Sequence, residues 1–173
     1  RPQDDVTGEM PTGEDAHGSD YFTPVFLLPQ LCNSTGAGAI NAAAHTEVAA
    51  VYAASPAAHK VAKSNDWDYN TADVKSPLFL MTSDGRSDRW FVSPWSDLEE
   101  SFESAGGPAV IARRLGADHK DVLEFGDGYA TAWFRYILAD DPDARDVFAG
   151  PSSVSAGELA SNELWDRVDT HGW

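Results

Sequence analysis

The distribution of apolar residues along the chain changes near residue 22. Before that point Asp, Glu, Gly, Pro and Thr dominate and apolar residues show almost no periodicity, whereas short apolar runs follow from Phe22 onward. We therefore predict three regions: a flexible acidic lead-in over 1–22, a folded domain over 23–150, and a C-terminal tail over 151–173.

Four apolar runs have the length and composition of strands. The run at 77–82 is short, uninterrupted and apolar, as expected of a parallel strand that is covered on both faces. Pro29 interrupts the first run, which makes the end of that strand less regular. The predicted strands span residues 25–31, 48–54, 77–82 and 109–112.

The segments between these runs have the patterns of helices packed on a sheet. Ser93 and Pro94 predict a helix start, with Ser as N-cap and Pro in the first turn, and Gly106-Gly107 predicts the end of that helix. A longer helix is predicted from about Gly128 to Ala139, because its apolar residues recur on one face. Further helices are predicted over 35–46 and 143–149.

The order of these elements predicts an α/β fold, with a mainly parallel sheet flanked by helices. Binding sites in such sheets form at the carboxyl ends of the strands. Three strand ends carry residues suited to chemistry: Ser34, the acidic loop after Thr82, and His119. We therefore expect a functional site at this edge of the sheet.

The charge of the chain is strongly unbalanced, with 28 acidic residues against 12 basic ones and a net charge of −16. Such a charge opposes binding to nucleic acid or to an anionic membrane surface. No apolar run has the length of a membrane span. The chain begins with Arg1 rather than Met, which is compatible with a removed leader, so we expect a secreted or periplasmic protein and leave a cytoplasmic one open.

The single cysteine, Cys32, excludes an intrachain disulfide and a cysteine-rich metal site. No His, Asp or Glu residues show metal-ligand spacing on one face, so we predict no metal site. Four histidines lie in polar or terminal surroundings and are interpreted as surface residues: His17, His45, His59 and His171.

The segment from Cys32 to Gly36 follows an apolar run and opens a run of small residues. A strand, a tight turn and a helix in this order can present a serine Oγ at a helix N-terminus, where developing negative charge is favoured. The usual pattern is Gly-x-Ser-x-Gly, and Cys32 stands in place of the first glycine. Taken alone, Ser34 is a candidate nucleophile or an ordinary helix N-cap.

Residues 72–149 resemble the C-terminal part of the α/β-hydrolase fold, in particular the secreted bacterial lipase, cutinase and polyester-hydrolase group. The Gly-Ala-Asp-His sequence at 116–119 resembles that family's Gly-Ala-Ser/Thr-His turn, and 128–136 resembles its last helix. Residues 73–80 resemble the segment leading into the strand before the catalytic acid. Residues 34–44 are similar to the nucleophile serine and the small-residue helix behind it.

This resemblance implies a role for each matching residue. Ser34 would be the nucleophile, and His119 the general base and then the acid that protonates the leaving group. Asp88 is the favoured acid because its spacing to His119 resembles that of the family, and Asp84 is the alternative. The backbone N–H of Thr35 would supply half of the oxyanion hole.

The implied function is that of a serine ester hydrolase, which acts on a small-molecule or polymer ester through an acyl-enzyme and needs no cofactor. Three tryptophans flank the strand ends that bear the site. They would line an acyl pocket or pack as core and rim residues. These tryptophans are Trp67, Trp90 and Trp95.

The chain departs from the family before Ser34, because hydrolases of this group have several strands there and a loop among them donates the second oxyanion N–H. Only 33 residues precede Ser34. Three alternatives stay open: a second chain or dimer covers the exposed sheet edge near 23–31, the chain is a trimmed fragment, or it is a non-catalytic domain derived from such hydrolases and kept for binding or assembly.

Overall fold

A computed structural model describes residues 32–149 and 157–173, without the side chains of 32–34. These residues form an open, mostly parallel sheet of four strands with helices on both faces, which confirms the α/β class. The strands are β1 (Val51–Ala54), β2 (Leu78–Ser83), β3 (Ala109–Arg114) and β4 (Trp165–His171). The helices are α1 (Cys32–His45), α2 (His59–Ser64), α3 (Arg86–Trp90), α4 (Trp95–Glu103), α5 (Val122–Ala139), α6 (Pro142–Phe148) and α7 (Glu158–Ser161), with a 3-10 turn at Thr71–Asp73.

The strands lie in the order β1-β2-β3-β4. The first two pairs are parallel, with Leu80 opposite both Ala53 and Ile111. Strand β4 is antiparallel to β3. This strand lies in the region interpreted as a C-terminal tail. Residues 165–171 of that region are therefore part of the sheet.

Two apolar clusters cover the two faces of the sheet. One contains buried residues of α1 and α4 packed on alternate residues of the strands, and the other contains buried residues of α5, α6 and α7. Alternation along β2 explains the division, because Leu78 and Leu80 point to the first cluster while Phe79 and Met81 point to the second. The sheet is therefore buried on both sides, as a near-continuous apolar strand requires.

Helix boundaries differ from prediction in ways that have physical causes. Helix α1 begins at Cys32, three residues before the predicted start at 35, so Ser34 lies in its first turn. Helix α5 begins at Val122, which is buried, and so starts six residues before the predicted start near Gly128. The N-cap role predicted for Ser93 is wrong: the cap position is Pro94, and Ser93 is buried before it.

Several predictions fall outside the described residues, namely the lead-in at 1–22, the strand at 25–31 and the start of the tail. The short helix α3 was not predicted, because five residues are too few to show helical periodicity. No helix in the described part of the chain is long and apolar enough to cross a membrane.

Candidate active site

The site is built by two loops at the carboxyl ends of β2 and β3. Helix α3 follows β2 and carries Asp88 in its first turn, while the turn after β3 carries His119. Gly85, which precedes α3, lies directly against the backbone of Ala117 and Asp118. A side chain at Gly85 would collide with that backbone, so glycine is required for the two loops to approach each other closely.

Asp88 and His119 form a short hydrogen bond between Oδ1 and Nδ1, of 2.6 Å. The Asp88 side chain is fully buried, and the His119 side chain is 15 % exposed. The favoured acid and the favoured base therefore meet through the ring nitrogen that orients an imidazole in an acyl-transfer site.

The second carboxylate oxygen of Asp88 accepts three hydrogen bonds. Ser55 Oγ and Ser83 Oγ each donate to Oδ2 at 2.6 Å, and the Ser83 backbone N–H donates at 3.2 Å. A carboxylate removed from water needs such donors to offset the lost hydration. The sequence did not reveal either role, because Ser55 lies 33 positions from Asp88 and Ser83, although close in sequence, forms no recognisable motif with it.

Ser55 also has an unusual backbone, with a φ of 42° in the left-handed region. A residue with a Cβ adopts this region at a cost of about 1–2 kcal/mol. The residue follows β1 directly and is fully buried. Its strained conformation places the hydroxyl where it reaches Asp88, and strain of this kind concentrates at functional sites.

The outer nitrogen of the His119 ring is buried, and no described residue hydrogen-bonds to it. When Nδ1–H donates to Asp88, Nε2 carries a lone pair and can accept a proton. A buried polar atom without a partner costs about 1–3 kcal/mol. The arrangement therefore holds a proton acceptor ready for a group that the described residues do not supply.

Asp118 fixes the turn that carries His119, a role that the sequence did not reveal. Its Oδ1 accepts the backbone N–H of His119 at 2.8 Å and that of Ser87 at 3.1 Å. The hydrogen bond from the His119 backbone is the main cause that holds the pKa of the Asp118 carboxyl below its usual value. Because Ser87 belongs to α3, Asp118 links this turn to the helix that carries Asp88.

The start of α1 lies against the same site. A Cβ at Gly36 would lie 2.8 Å from the Pro56 Cα and 3.0 Å from the Ala54 carbonyl oxygen, on either side of Ser55. Ser34 precedes Gly36 by two residues in the first turn of α1. Its side chain, the predicted nucleophile, lies outside the described part of the structure.

Asp84, the alternative acid, has a different role in the structure. Its Oδ1 accepts the backbone N–H of Gly116 at 2.8 Å, and its own N–H donates to the Arg114 carbonyl at 3.0 Å. Asp84 thus joins the ends of β2 and β3, while Asp88 is the carboxylate that contacts His119.

The three candidate pocket tryptophans do not lie together. Trp90 and Trp95 line one cleft of about 250 Å³, which also includes Ser83. Trp67 is 37 % exposed and is not among the residues of this cleft. Thr35, whose N–H is the predicted oxyanion donor, lies in the first turn of α1.

Two histidines interpreted as surface residues are partly buried and have partners. His59 Nδ1 lies 3.0 Å from Asp97 Oδ2, and His171 Nε2 lies 2.8 Å from the Phe102 carbonyl oxygen. His45 is exposed, as predicted, and His17 lies outside the described residues. In the described ranges, no group of three or more His, Cys, Asp or Glu side chains could hold a metal ion.

Comparison with known proteins adds no relative: no protein-family model matches this chain, and a search of curated proteins found no significant match. Support for a function therefore comes from the geometry around Asp88 and His119. The resemblance to α/β-hydrolases stays a prediction.

Proposed function

We propose that this chain is a serine ester hydrolase of the α/β-hydrolase type, which acts on a small-molecule or polymer ester. The observation that supports the proposal best is the buried Asp88–His119 pair, with its outer nitrogen unpartnered among the described residues. A pair that served only the fold would gain stability by satisfying that nitrogen. A proton acceptor at the carboxyl edge of a parallel sheet suits acyl transfer instead.

In the proposed reaction, Ser34 Oγ attacks the carbonyl carbon of the ester while its proton moves to His119 Nε2. The tetrahedral intermediate collapses as the C–O bond to the alcohol breaks, and Nε2 gives the proton to the departing oxygen. Water then attacks the acyl-enzyme and loses a proton to Nε2, which returns it to Ser34 Oγ as the acid leaves. Asp88 keeps Nδ1 protonated and stabilises the imidazolium formed in each step.

The first turn of α1 gives Ser34 and Thr35 their proposed roles. A helix N-terminus favours the negative charge that develops on the attacked carbonyl oxygen. The Thr35 backbone N–H is the proposed donor to this oxyanion, because it directly follows the nucleophile.

Labelling with a fluorophosphonate tests the proposal, because Oγ of an activated serine displaces fluoride from phosphorus and forms a stable adduct. We expect one adduct per chain by intact mass, and its loss in Ser34→Ala. His119→Ala should slow labelling strongly. The matched control Ser64→Ala, which changes an exposed serine at the end of α2, should label like the wild type.

The rate of p-nitrophenyl ester hydrolysis should change in the same way: lost in Ser34→Ala, strongly reduced in His119→Ala and unchanged in Ser64→Ala. A folded chain that forms no adduct and cleaves no ester would overturn the proposal and favour the non-catalytic binding or assembly domain. Adduct formation that survives Ser34→Ala would also overturn it, since the nucleophile would then be another residue.

A further inference from the structure

A cleft at the carboxyl ends of β2 and β3 has a charge unlike that of the rest of the chain. Arg89, Arg113 and Arg167 all line it, and no Asp or Glu does. The chain as a whole has 12 basic and 28 acidic residues. The lining therefore concentrates a quarter of the basic residues in a cleft that is free of carboxylates.

Two of the three guanidinium groups have no carboxylate partner in the described part of the chain. Arg113 is paired, with its Nε 2.8 Å from Asp166 Oδ1. Arg89 and Arg167 form no ion pair among the described residues. In a protein with a large excess of carboxylates, two free guanidiniums on one cleft are available to a ligand.

Tryptophan rings hold these groups in place. The Arg89 guanidinium lies over Trp90, with 5.2 Å between Cζ and the ring centroid, and that of Arg167 lies over Trp95 at 5.3 Å. Arg167 also has a φ of 49°, a strained value for a residue with a Cβ. These cation–π contacts reduce the freedom that each guanidinium loses on binding a ligand.

We propose that this cleft binds a small organic carboxylate, whose oxygens pair with Arg89 and Arg167. Guanidinium forks match the planar geometry of a carboxylate. The cleft volume of about 250 Å³ is below the range typical of drug-sized ligands, so the ligand is small. Trp90 and Trp95 also line the cleft and offer apolar surface to the organic body of such a ligand, whereas an inorganic anion has no apolar part to bury there.

The cleft adjoins the proposed active site through Ser83, which lines it and also donates to Asp88. Ester hydrolysis releases a carboxylate, so the proposed ligand has the chemistry of an acid product or of the free acid end of an oligoester. The binding itself does not rest on the proposed function, because no step of it uses Ser34 or His119.

Calorimetric titration with benzoate at low ionic strength tests the proposal, since exposed charges are weakly screened there. Benzamide, a neutral molecule of the same shape, is the control for the negative charge. Inorganic phosphate is the control for an anion without an organic body. We expect benzoate to bind at least tenfold more tightly than either. Ser34→Ala should bind benzoate like the wild type, which separates this result from the fate of the esterase proposal.

Replacement of both unpaired arginines, by Arg89→Gln and Arg167→Gln, should weaken benzoate binding by roughly tenfold or more, because each removes a charge-assisted contact. The control Arg135→Gln changes an exposed arginine on α5 that pairs with Asp141, and should leave the affinity unchanged. The proposal is overturned if benzoate does not bind, if benzamide or phosphate binds as tightly, or if the double variant keeps its affinity. The ligand comparison needs only the wild-type chain, so it decides even if the double variant unfolds.

Discussion

Two histidine–aspartate pairs among the described residues use the same ring nitrogen but differ in what surrounds them. Asp88 Oδ1 lies 2.6 Å from His119 Nδ1, and Asp97 Oδ2 lies 3.0 Å from His59 Nδ1. The Asp88 side chain is fully buried, whereas the Asp97 side chain is 25 % exposed. One pair is held at the carboxyl edge of the sheet, and the other joins the start of α2 to the first turn of α4.

The contacts of the His59 pair are those of a structural feature. Asp97 Oδ2 accepts both the backbone N–H of His59, at 2.8 Å, and its Nδ1, while the His59 ring packs against Tyr69 with 4.6 Å between centroids. Asp97 thus supplies the cap that α2 lacks from its own N-cap residue. These contacts account for the pair as a structural feature.

The His119 pair differs at the second ring nitrogen, which is buried. Three donors satisfy the second oxygen of Asp88, yet His119 Nε2 has no partner among the described residues. A strained residue, Ser55, and a buried carboxylate, Asp88, therefore orient a ring whose Nε2 can accept a proton from a further group. This difference is the physical reason to separate a candidate base from a structural histidine.

Neutralising each carboxylate in turn tests the difference between the two pairs most directly. Asp88→Asn should lower kcat for ester hydrolysis by about 10⁴-fold, because an amide no longer holds the Nδ1–H tautomer or stabilises the imidazolium. Asp97→Asn should change kcat by no more than about twofold, since loss of this partly exposed pair away from the site affects only stability. Equal losses in the two variants would remove the distinction between the pairs.

The close approach of the two site loops offers a second test. Gly85→Ala should destabilise the fold by about 3 kcal/mol in urea unfolding, because the new methyl group meets the backbone of Ala117 and Asp118. The control Gly38→Ala places a methyl group on α1 where no atom of the described residues lies within 4 Å, and should stabilise by about 0.5–1 kcal/mol through helix propensity. If the alanine at position 85 were tolerated as well, Gly85 would not be what sets the spacing between Asp88 and His119.

Support of Asp88 by Ser55 is open to a finer test. Ser55→Ala should lower kcat roughly tenfold, because a charge-assisted hydrogen bond to a buried carboxylate is lost. It should also shift the proton NMR signal of His119 Nδ1–H, which reports the bond to Asp88 without any need for catalysis. Ser93→Ala is the matched control: that buried Oγ has no partner among the described residues, so both readouts should stay as in the wild type. A shift with Ser93→Ala but not with Ser55→Ala would refute the role of Ser55.

The sequence predicted those features that depend on one residue type, one apolar run or one spacing along the chain. The uninterrupted apolar run of β2 predicted its strand, and the Gly-Ala-Asp-His turn after a strand pointed to His119. The spacing of Asp88 to His119 selected the carboxylate that the structure places beside that ring. Each of these signals is local, or depends on one distance along the chain.

Features that depend on packing were beyond the sequence. Nothing in the residue type of Ser55 indicates a φ of 42°, since serine is not the residue that favours the left-handed region. The bond from Ser55 to Asp88 spans 33 positions and depends on the register of β1 beside β2. Strand β4 escaped prediction because its sequence has few apolar residues among polar ones.

The smallest expected effect is the pH dependence of the His59 pair. The hydrogen bond with Asp97 raises the pKa of His59 above its ordinary value of 6.5. Burial raises the pKa of Asp97, but the hydrogen bonds from His59 outweigh it and lower that pKa below 3.8. The pair therefore stabilises the fold fully between these two ordinary values, where Asp97 is charged and His59 is protonated in both the folded and unfolded states.

As the pH rises from 6 to 8, the folded state loses its extra proton on His59, and the stabilisation declines with it. The free energy of unfolding of the wild type should exceed that of Asp97→Asn by about 0.5 kcal/mol at pH 5.5, and the difference should shrink by pH 8. The control Glu47→Gln changes an exposed carboxylate outside any ion pair of the described residues, so its difference from the wild type should stay flat over this range. A difference for Asp97→Asn that grows with pH would contradict the sign of the His59 shift, and would mean that Asp97 acts through its cap on α2 and not through the charge of the ring.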